Sequence, residues 1–352
     1  MLRNHTYRTS SLIPALICSA FLVACNGEQA ADETRRDSSK GEVLAPITIA
    51  PVLDWPYAFL SSSGRRVLVS LDSGSFHIYE FGRSGENERN LIKFATFKLP
   101  TSNGAAVVAL SPDGKYAVGC DKFTIYLWDL QTLRLTHQVS SRVLFTSPIE
   151  GADEWVTNLA FRNNSTLAIQ GMSQGIIEIA IIDGKFEIPA SLKPLEHDLS
   201  KYRELQLDRC DSGHGYYTMN RHVLTHFPES SSSASSTVDL GLIMPLAADF
   251  TDKEVVVVDR YGGIYKGKAE VSPANIVDAF PKRMYLGAYF FDNLIFARTE
   301  TEVFVYNGKS SSQLFADEDE TIGSLLVVDG TLMISLVSGQ VLAMDTDSLM
   351  NE

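Results

Sequence analysis

The sequence predicts an all-β chain: a single β-propeller of seven four-stranded blades, closed by its N-terminal strand and occupying residues 45–352. Three observations predict it. The stretch "AAVVALSPDGKYAVGCDKFTIYLWDLQTLRLTHQV", residues 105–139, reads as four short strands joined by tight turns. Similar apolar and turn text starts again near residues 55, 105, 155, 202, 242, 283 and 322, a spacing of about 40 to 50 residues that suits four-stranded blades. Finally, the last copy lacks a strand, and the chain has one to spare near its beginning.

Residues 1–24 come first and read unlike the rest. Arg3 and Arg8 stand in a polar start without acids, followed by the apolar run "SLIPALICSAFLVA". This is a secretory signal, too short for a stable membrane span. The run ends Leu22-Val23-Ala24-Cys25, which resembles the lipobox of bacterial lipoproteins. The resemblance implies that Cys25 is diacylated and becomes the new N-terminus, and Asn26 after it implies outer-membrane sorting, with the domain facing the periplasm of a Gram-negative host. An ordinary signal peptide with an incidental cysteine is the alternative. Removing Arg3 and Arg8 takes the formal charge from -13 to about -15. Residues 25–44, with the text "NGEQAADETRRDSSKGEV", are polar, cannot build a core and form a tether. Its reach is roughly 20 to 25 Å.

The blades follow in order. The first spans "WPYAFLSSSGRRVLVSLDSGSFHIYEF" from Trp55. The second carries the clearest text: Pro112 presets φ early in the "SPDG" turn and Gly114 accepts a positive φ. Its "SPDG" and "LWDL", from Leu127 to Leu130, resemble a WD repeat, although no Gly-His dipeptide opens the unit to supply that family's buried His-to-Asp network. Asp113, Gly114, Trp128 and Asp129 are therefore expected to hold a blade together. Copies begin again at Trp155, Tyr202, Leu242, Arg283 and Ile322 in decaying form, the fourth followed by the solvated loop "PESSSSASS". "APITIAPVL", Ala45–Leu53, supplies the strand that the last blade needs, and closing the ring removes the exposed edges.

The composition narrows the partners. With 30 basic against 43 acidic residues the chain is a poor ligand for nucleic acid or an anionic lipid surface. Cys120 and Cys210 fall in non-adjacent repeats, too far apart for a disulfide, and are expected as free buried thiols. Cys210, His214, His222 and His226 lie within one short segment, but "HVLTHF" reads as a strand, and four strand residues separate two side chains by roughly 13 Å. No metal site is assigned to them. "FADEDET", with Asp317, Glu318, Asp319 and Glu320, lacks the glycine and spacing of a calcium loop and reads as a solvated acidic turn. Asp72 and Asp121 read as turn residues that accept from backbone amides. No nucleophile elbow or phosphate cradle appears, so no catalytic residue and no cofactor are assigned.

The binding candidates stand where inner strands begin and ring the channel mouth: Trp55, Tyr57, Trp155, Tyr202 and Arg283, residue types that dominate protein-protein hot spots. Packing of Trp55 and Trp155 between neighbouring blades is the alternative. The expectation is a non-catalytic binding module or scaffold, membrane-attached through its lipid and recognising a protein of the cell envelope. A propeller enzyme of the quinoprotein-like oxidoreductase or lactone hydrolase type, and a lipoprotein protecting the periplasm from a toxin, are the competing readings.

Overall fold

The computed structural model describes residues 43–48, 60–63, 66–70, 75–84, 88–100, 107–145, 154–172, 175–188, 205–211, 213–230, 236–241, 243–251, 254–268, 275–346 and 349. Residues 1–42, among them Cys25, lie outside this set, as do Trp55, Tyr57, Asp72 and Tyr202. The described residues fall in one unit, Lys40–Glu352, and form seven four-stranded antiparallel sheets.

The chain order of the strands runs as follows. β1 (Val43–Thr48) comes first, and blade 1 then holds β2 (Leu60–Ser63), β3 (Arg66–Ser70), β4 (Ser75–Ser84) and β5 (Glu88–Lys98). Blade 2 holds β6 (Val107–Leu110), β7 (Tyr116–Cys120), β8 (Thr124–Asp129) and β9 (Arg134–Ser140). A single helical turn, α1 (Ser141–Leu144), leads to blade 3, made of β10 (Val156–Asn163), β11 (Thr166–Gly171), β12 (Gly175–Ile182) and β13 (Lys185–Glu187). Blade 4 is β14 (Leu205–Arg209), β15 (Tyr216–Asn220), β16 (Val223–Phe227) and β17 (Ser236–Asp239). Blade 5 is β18 (Pro245–Phe250), β19 (Glu254–Asp259), β20 (Gly263–Lys268) and β21 (Asn275–Asp278). Blade 6 is β22 (Gly287–Phe291), β23 (Leu294–Arg298), β24 (Glu302–Tyr306) and β25 (Ser311–Ala316). Blade 7 has only β26 (Ile322–Val328), β27 (Thr331–Leu336) and β28 (Gln340–Asp345) of its own.

β1 completes blade 7 in the order β1-β28-β27-β26. The pairing sets Val43 opposite Met344 and Thr48 opposite Gln340, with the register shifting between Leu44 and Ile47. Pro46 falls at that irregularity, on the outermost strand of the sheet, where a residue without an N–H is tolerated.

Seven buried apolar clusters knit the ring, one between each pair of neighbouring blades, the seventh joining blade 7 to blade 1 through Leu326, Met333, Val341, Val67 and Tyr79. Strand periodicity produces this arrangement. In β8, Ile125 and Leu127 pack toward blade 3, whereas Tyr126 and Trp128 pack toward blade 1. Both faces of such a strand are covered, so the inner strands read as near-continuous apolar runs.

Side chains also tie one blade's inner strand to its neighbour. Gln170 Oε1 accepts from Leu207 N at 3.1 Å and Tyr217 Oη accepts from Ala248 N at 3.1 Å, so amides on the free edge of an inner strand find partners in the preceding blade. Arg162, only 8% exposed, donates to Pro228 O at 2.6 Å and Ser230 O at 3.2 Å of blade 4 while pairing with Glu178 at 2.9 Å. Tyr216 donates to the same carboxylate at 2.8 Å.

Candidate functional site

With four antiparallel strands per blade, the turns between second and third strands and the connections from one blade to the next emerge on one face of the ring, here the upper face. Among the described residues twelve large hydrophobics stand exposed. Seven of them, Val143, Trp155, Met172, Met244, Tyr261, Met284 and Leu286, lie in upper-face loops, against Leu133 and Ile182 at the lower turns and Ile92, Leu135 and Val277 on outer strands. A monomer has no folding reason to gather apolar side chains on one face.

Backbone hydrogen bonds between adjacent loops hold this face in shape. Val156 N donates to Lys122 O at 2.8 Å, Met172 N to Trp155 O at 2.8 Å, Arg260 N to Met244 O at 2.9 Å and Leu286 N to Arg298 O at 2.8 Å. A surface fixed in this way loses little conformational freedom when it binds.

Two predicted residues can be placed. Trp155 is 41% exposed at the seam of blades 2 and 3, its ring edge-on to Phe123 at 6.2 Å, with Lys122 Nζ 5.2 Å from its centroid. It is partly packed and still offers a face to solvent. Beside it, a Cβ on Gly171 would stand 3.0 Å from Glu154 Cγ and from Phe145 Cε1, so a larger residue there would require these side chains to give way. Arg283 stands over the third strand of blade 6, bonded to Glu302 and lying 5.3 Å from the Phe304 ring centroid. Trp55, Tyr57, Tyr202 and Cys25 lie outside the described residues.

Arg283 borders a cleft of about 340 Å³, lined by Met284, Leu286, Thr299, Glu300 and Glu302 as well. The binding residues expected from the sequence are confined to the starts of inner strands. The turns that share their face hold Met172 in "GMSQG" and Tyr261 in "RYGG". A bulky apolar residue inside a polar turn was the available signal.

The other candidate chemistries are held apart. His226 Nε2 sits 2.7 Å from His214 O, and its ring stacks on Phe250 at 4.5 Å. His222 lies in the turn before β16 rather than in the strand, 3.8 Å from Asp239, and Cys210 is buried toward blade 5. Among the described residues no three His, Cys, Asp or Glu side chains are placed to hold a metal ion. Asp317 accepts from Asp319 N at 3.0 Å, so the acidic segment caps its own turn.

Asp121 accepts from Thr124 N at 2.9 Å and from Tyr126 Oη at 3.0 Å, and Asp259 repeats both contacts in blade 5 through Gly263 N at 2.8 Å and Tyr265 Oη at 3.1 Å. The clearest repeat text is likewise structural. Asp113 accepts from Ser111 Oγ at 2.7 Å, Gly114 takes φ +67°, and Trp128 is 5% exposed between Phe76 and Phe97. Asp129 accepts from Thr132 N at 2.8 Å, and the backbone amides there lower its carboxyl pKa. The thiols of Cys120 and Cys210 are free and buried; burial pushes Cys120 up to about 12 and Cys210 well above its ordinary value.

At the lower end of the channel, Asp211 of blade 4 accepts from Phe290 N of blade 6 at 2.9 Å, reaching past blade 5. Asp208, Asp249, Arg209 and Tyr289 lie around it. Confinement among these walls raises the carboxyl of Asp211, and that of Asp208 to about 6.

Seven blades, inter-blade cores and closure by β1 define a WD40-like β-propeller fold. The chain is similar to the crystal structure of the C-terminal WD40 domain of Sif2, with a TM-score of 0.54 and 10% identity over 86% of both chains. No protein-family model and no curated protein matches the sequence. The likeness therefore rests on architecture: blade geometry persists where almost none of the residue text does.

Proposed function

We propose that this protein is a non-catalytic protein-binding module that works through its upper face. The observation that carries the reading is the concentration of exposed Trp, Tyr, Met and Leu there, on loops fixed to one another by backbone hydrogen bonds. Aromatic and Met side chains give large contact area and adapt to a partner's shape. The Sif2 domain is named as a WD40 domain, and fold by itself does not decide function. The reading extends to place: Cys25 carries the lipid, the residues between it and β1 hold the ring clear of an outer membrane, and the partner is a periplasmic or envelope protein.

Photo-crosslinking amino acids placed in cells at Trp155 and Met172 are expected to trap the same partner. The same probes at Leu133 and Ile182, on the lower turns, are expected to trap none. Equal trapping from both faces, or none from either, overturns the reading. For the anchor, Cys25→Ala is expected to move the protein into the soluble fraction; a variant that still sediments with membranes removes the lipid from the account.

A further inference from the structure

The cleft on blade 6 is built more specifically than the rest of the upper face. Its apolar wall is fixed by Tyr285, which is 0% exposed, packs against Phe280 at 5.5 Å and Phe304 at 6.0 Å, and donates through Oη to Pro281 O at 3.0 Å. Tyr285 N also donates to Arg260 O at 2.9 Å. With Tyr285 turned inward, its neighbours Met284 and Leu286 stand outward, 58% and 42% exposed.

The opposite wall is polar, and its charges are not equivalent. Glu302 is already engaged, one oxygen by Arg283 and the other by Gln313 Nε2 at 3.0 Å. Arg283 is held by that carboxylate and by the Phe304 ring, so the pair contributes no net charge. Glu300 is exposed and has no basic partner among the described residues. Its backbone O accepts from Ile322 N at 2.7 Å, and the neighbouring Thr301 O accepts from Asp317 N at 3.1 Å. Those bonds fasten the turn carrying Asp317, Glu318, Asp319 and Glu320 to the same corner. Lys282, exposed beside Arg283, brings one positive charge to this corner, and Glu300 with the four acids of that turn still leaves an excess of negative charge around the apolar wall.

Ligand pockets occupy roughly 300–1,000 Å³, so a cleft of about 340 Å³ has room for one or two side chains and not for a large cofactor. An apolar floor under an acidic rim selects an aliphatic group carried between positive charges. Resting on the reading of the upper face as the binding face, we propose that this cleft takes an extended segment of the partner protein in which an aliphatic side chain is flanked by Lys or Arg.

The test uses the purified full-length protein with methyl-labelled methionine, following the Met284 methyl resonance, assigned through Met284→Leu. Three synthetic peptides are titrated: Ac-GSKKLKKSG-NH2, the same peptide with serine for leucine, and Ac-GSEELEESG-NH2. The Lys-Leu peptide is expected to shift Met284 saturably while the Met172 and Met244 methyls, on other blades, stay in place. Loss of the leucine is expected to weaken binding about tenfold or more, and the acidic peptide is expected not to bind. Glu300→Gln, a surface change that leaves the fold intact by circular dichroism, is expected to weaken the Lys-Leu peptide about two- to fivefold. Equal binding of the serine or acidic peptide, no response of Met284, or no effect of Glu300→Gln overturns the proposal. A peptide that moves Met172 or Met244 in place of Met284 also overturns it and leaves the upper face standing as a binding surface. Crosslinking from Trp155 and Met172 decides that broader reading separately.

Discussion

At the scale of single residues, the best-preserved text of the repeat has become packing. Trp128 fills the seam between blades 1 and 2, with Phe76 at 5.3 Å, Phe97 at 5.6 Å and Tyr126 at 5.8 Å. Gly119 opposite leaves its Cβ position within 3.1 Å of Phe76 and 3.3 Å of Trp128. No smaller residue can fill that space, so Trp128→Ala is expected to cost about 3–5 kcal/mol in denaturant unfolding. A loss below about 1 kcal/mol would show that the seam collapses to fill the gap. The two thiols make the second residue-scale prediction. Cys120 is 0% and Cys210 1% exposed, and burial holds both in the protonated form, which is a poor nucleophile. Neither is expected to react with a maleimide at neutral pH in the native protein, and both are expected to react at once in denaturing guanidinium. Rapid labelling of the native protein would count against the inter-blade placement. Trp128 was legible because a conspicuous text surrounds it. Met284 was not, since its exposure depends on Tyr285 turning inward against Phe280 and Phe304, contacts that no local spacing reveals.

Among the elements, the latches between inner strands decide how firmly one blade holds the next. Arg162 on β10 gives two carbonyl bonds to blade 4 and neutralises Glu178, which also accepts from Tyr216. Removing one member of a buried pair leaves the other charge uncompensated, so Arg162→Met is expected to cost about 3–5 kcal/mol. Adding Glu178→Gln is expected to recover part of that loss, and a double variant no better than the single one would separate the two side chains energetically. The strand ends at the channel floor act in the opposite direction. Asp208 is solvent-exposed, yet the protein atoms crowded around the channel floor desolvate its carboxylate and raise its folded pKa to about 6, so the folded state binds its proton more tightly than the unfolded chain does. Its charge therefore works against folding above about pH 6, and that penalty fades as pH falls toward about 4. Asp208→Asn is expected to raise the thermal midpoint at about pH 7.5, with the gain over wild type shrinking toward about pH 4. Arg209 N, which donates to Asp208 Oδ1 at 2.8 Å, keeps an acceptor in the variant. A gain that stays constant with pH would assign it to something other than the carboxyl's titration.

For the whole molecule the deciding feature is closure. Period and composition made seven units readable even where the turn text had decayed, because each strand must present apolar residues on both faces to two neighbouring blades. The surplus strand and the incomplete last blade were readable for the same reason, and β1 pairs with β28 to complete blade 7. What the sequence concealed was lateral: that Asp211 reaches past a blade to Phe290, and that Met172, Met244, Tyr261 and Met284 share one face. Those relations arise only when the ring is shut and distant loops become neighbours. Closure also carries the last prediction. Deleting Val43–Thr48 leaves Gln340–Asp345 as an unpaired edge with a row of free amides and carbonyls, while the apolar cluster between blades 7 and 1 remains to be held by side chains alone. Opening is then expected at that seam, with the thermal midpoint lowered by roughly 5 °C or more and concentration-dependent association visible by light scattering. Hydrogen exchange separates the mechanisms: protection is expected to fall first in β26–β28 and in β3 and β4, the two sides of the seam. A uniform loss around the ring would mean that the blades unfold as one unit and that β1 contributes stability without acting as the closing strand.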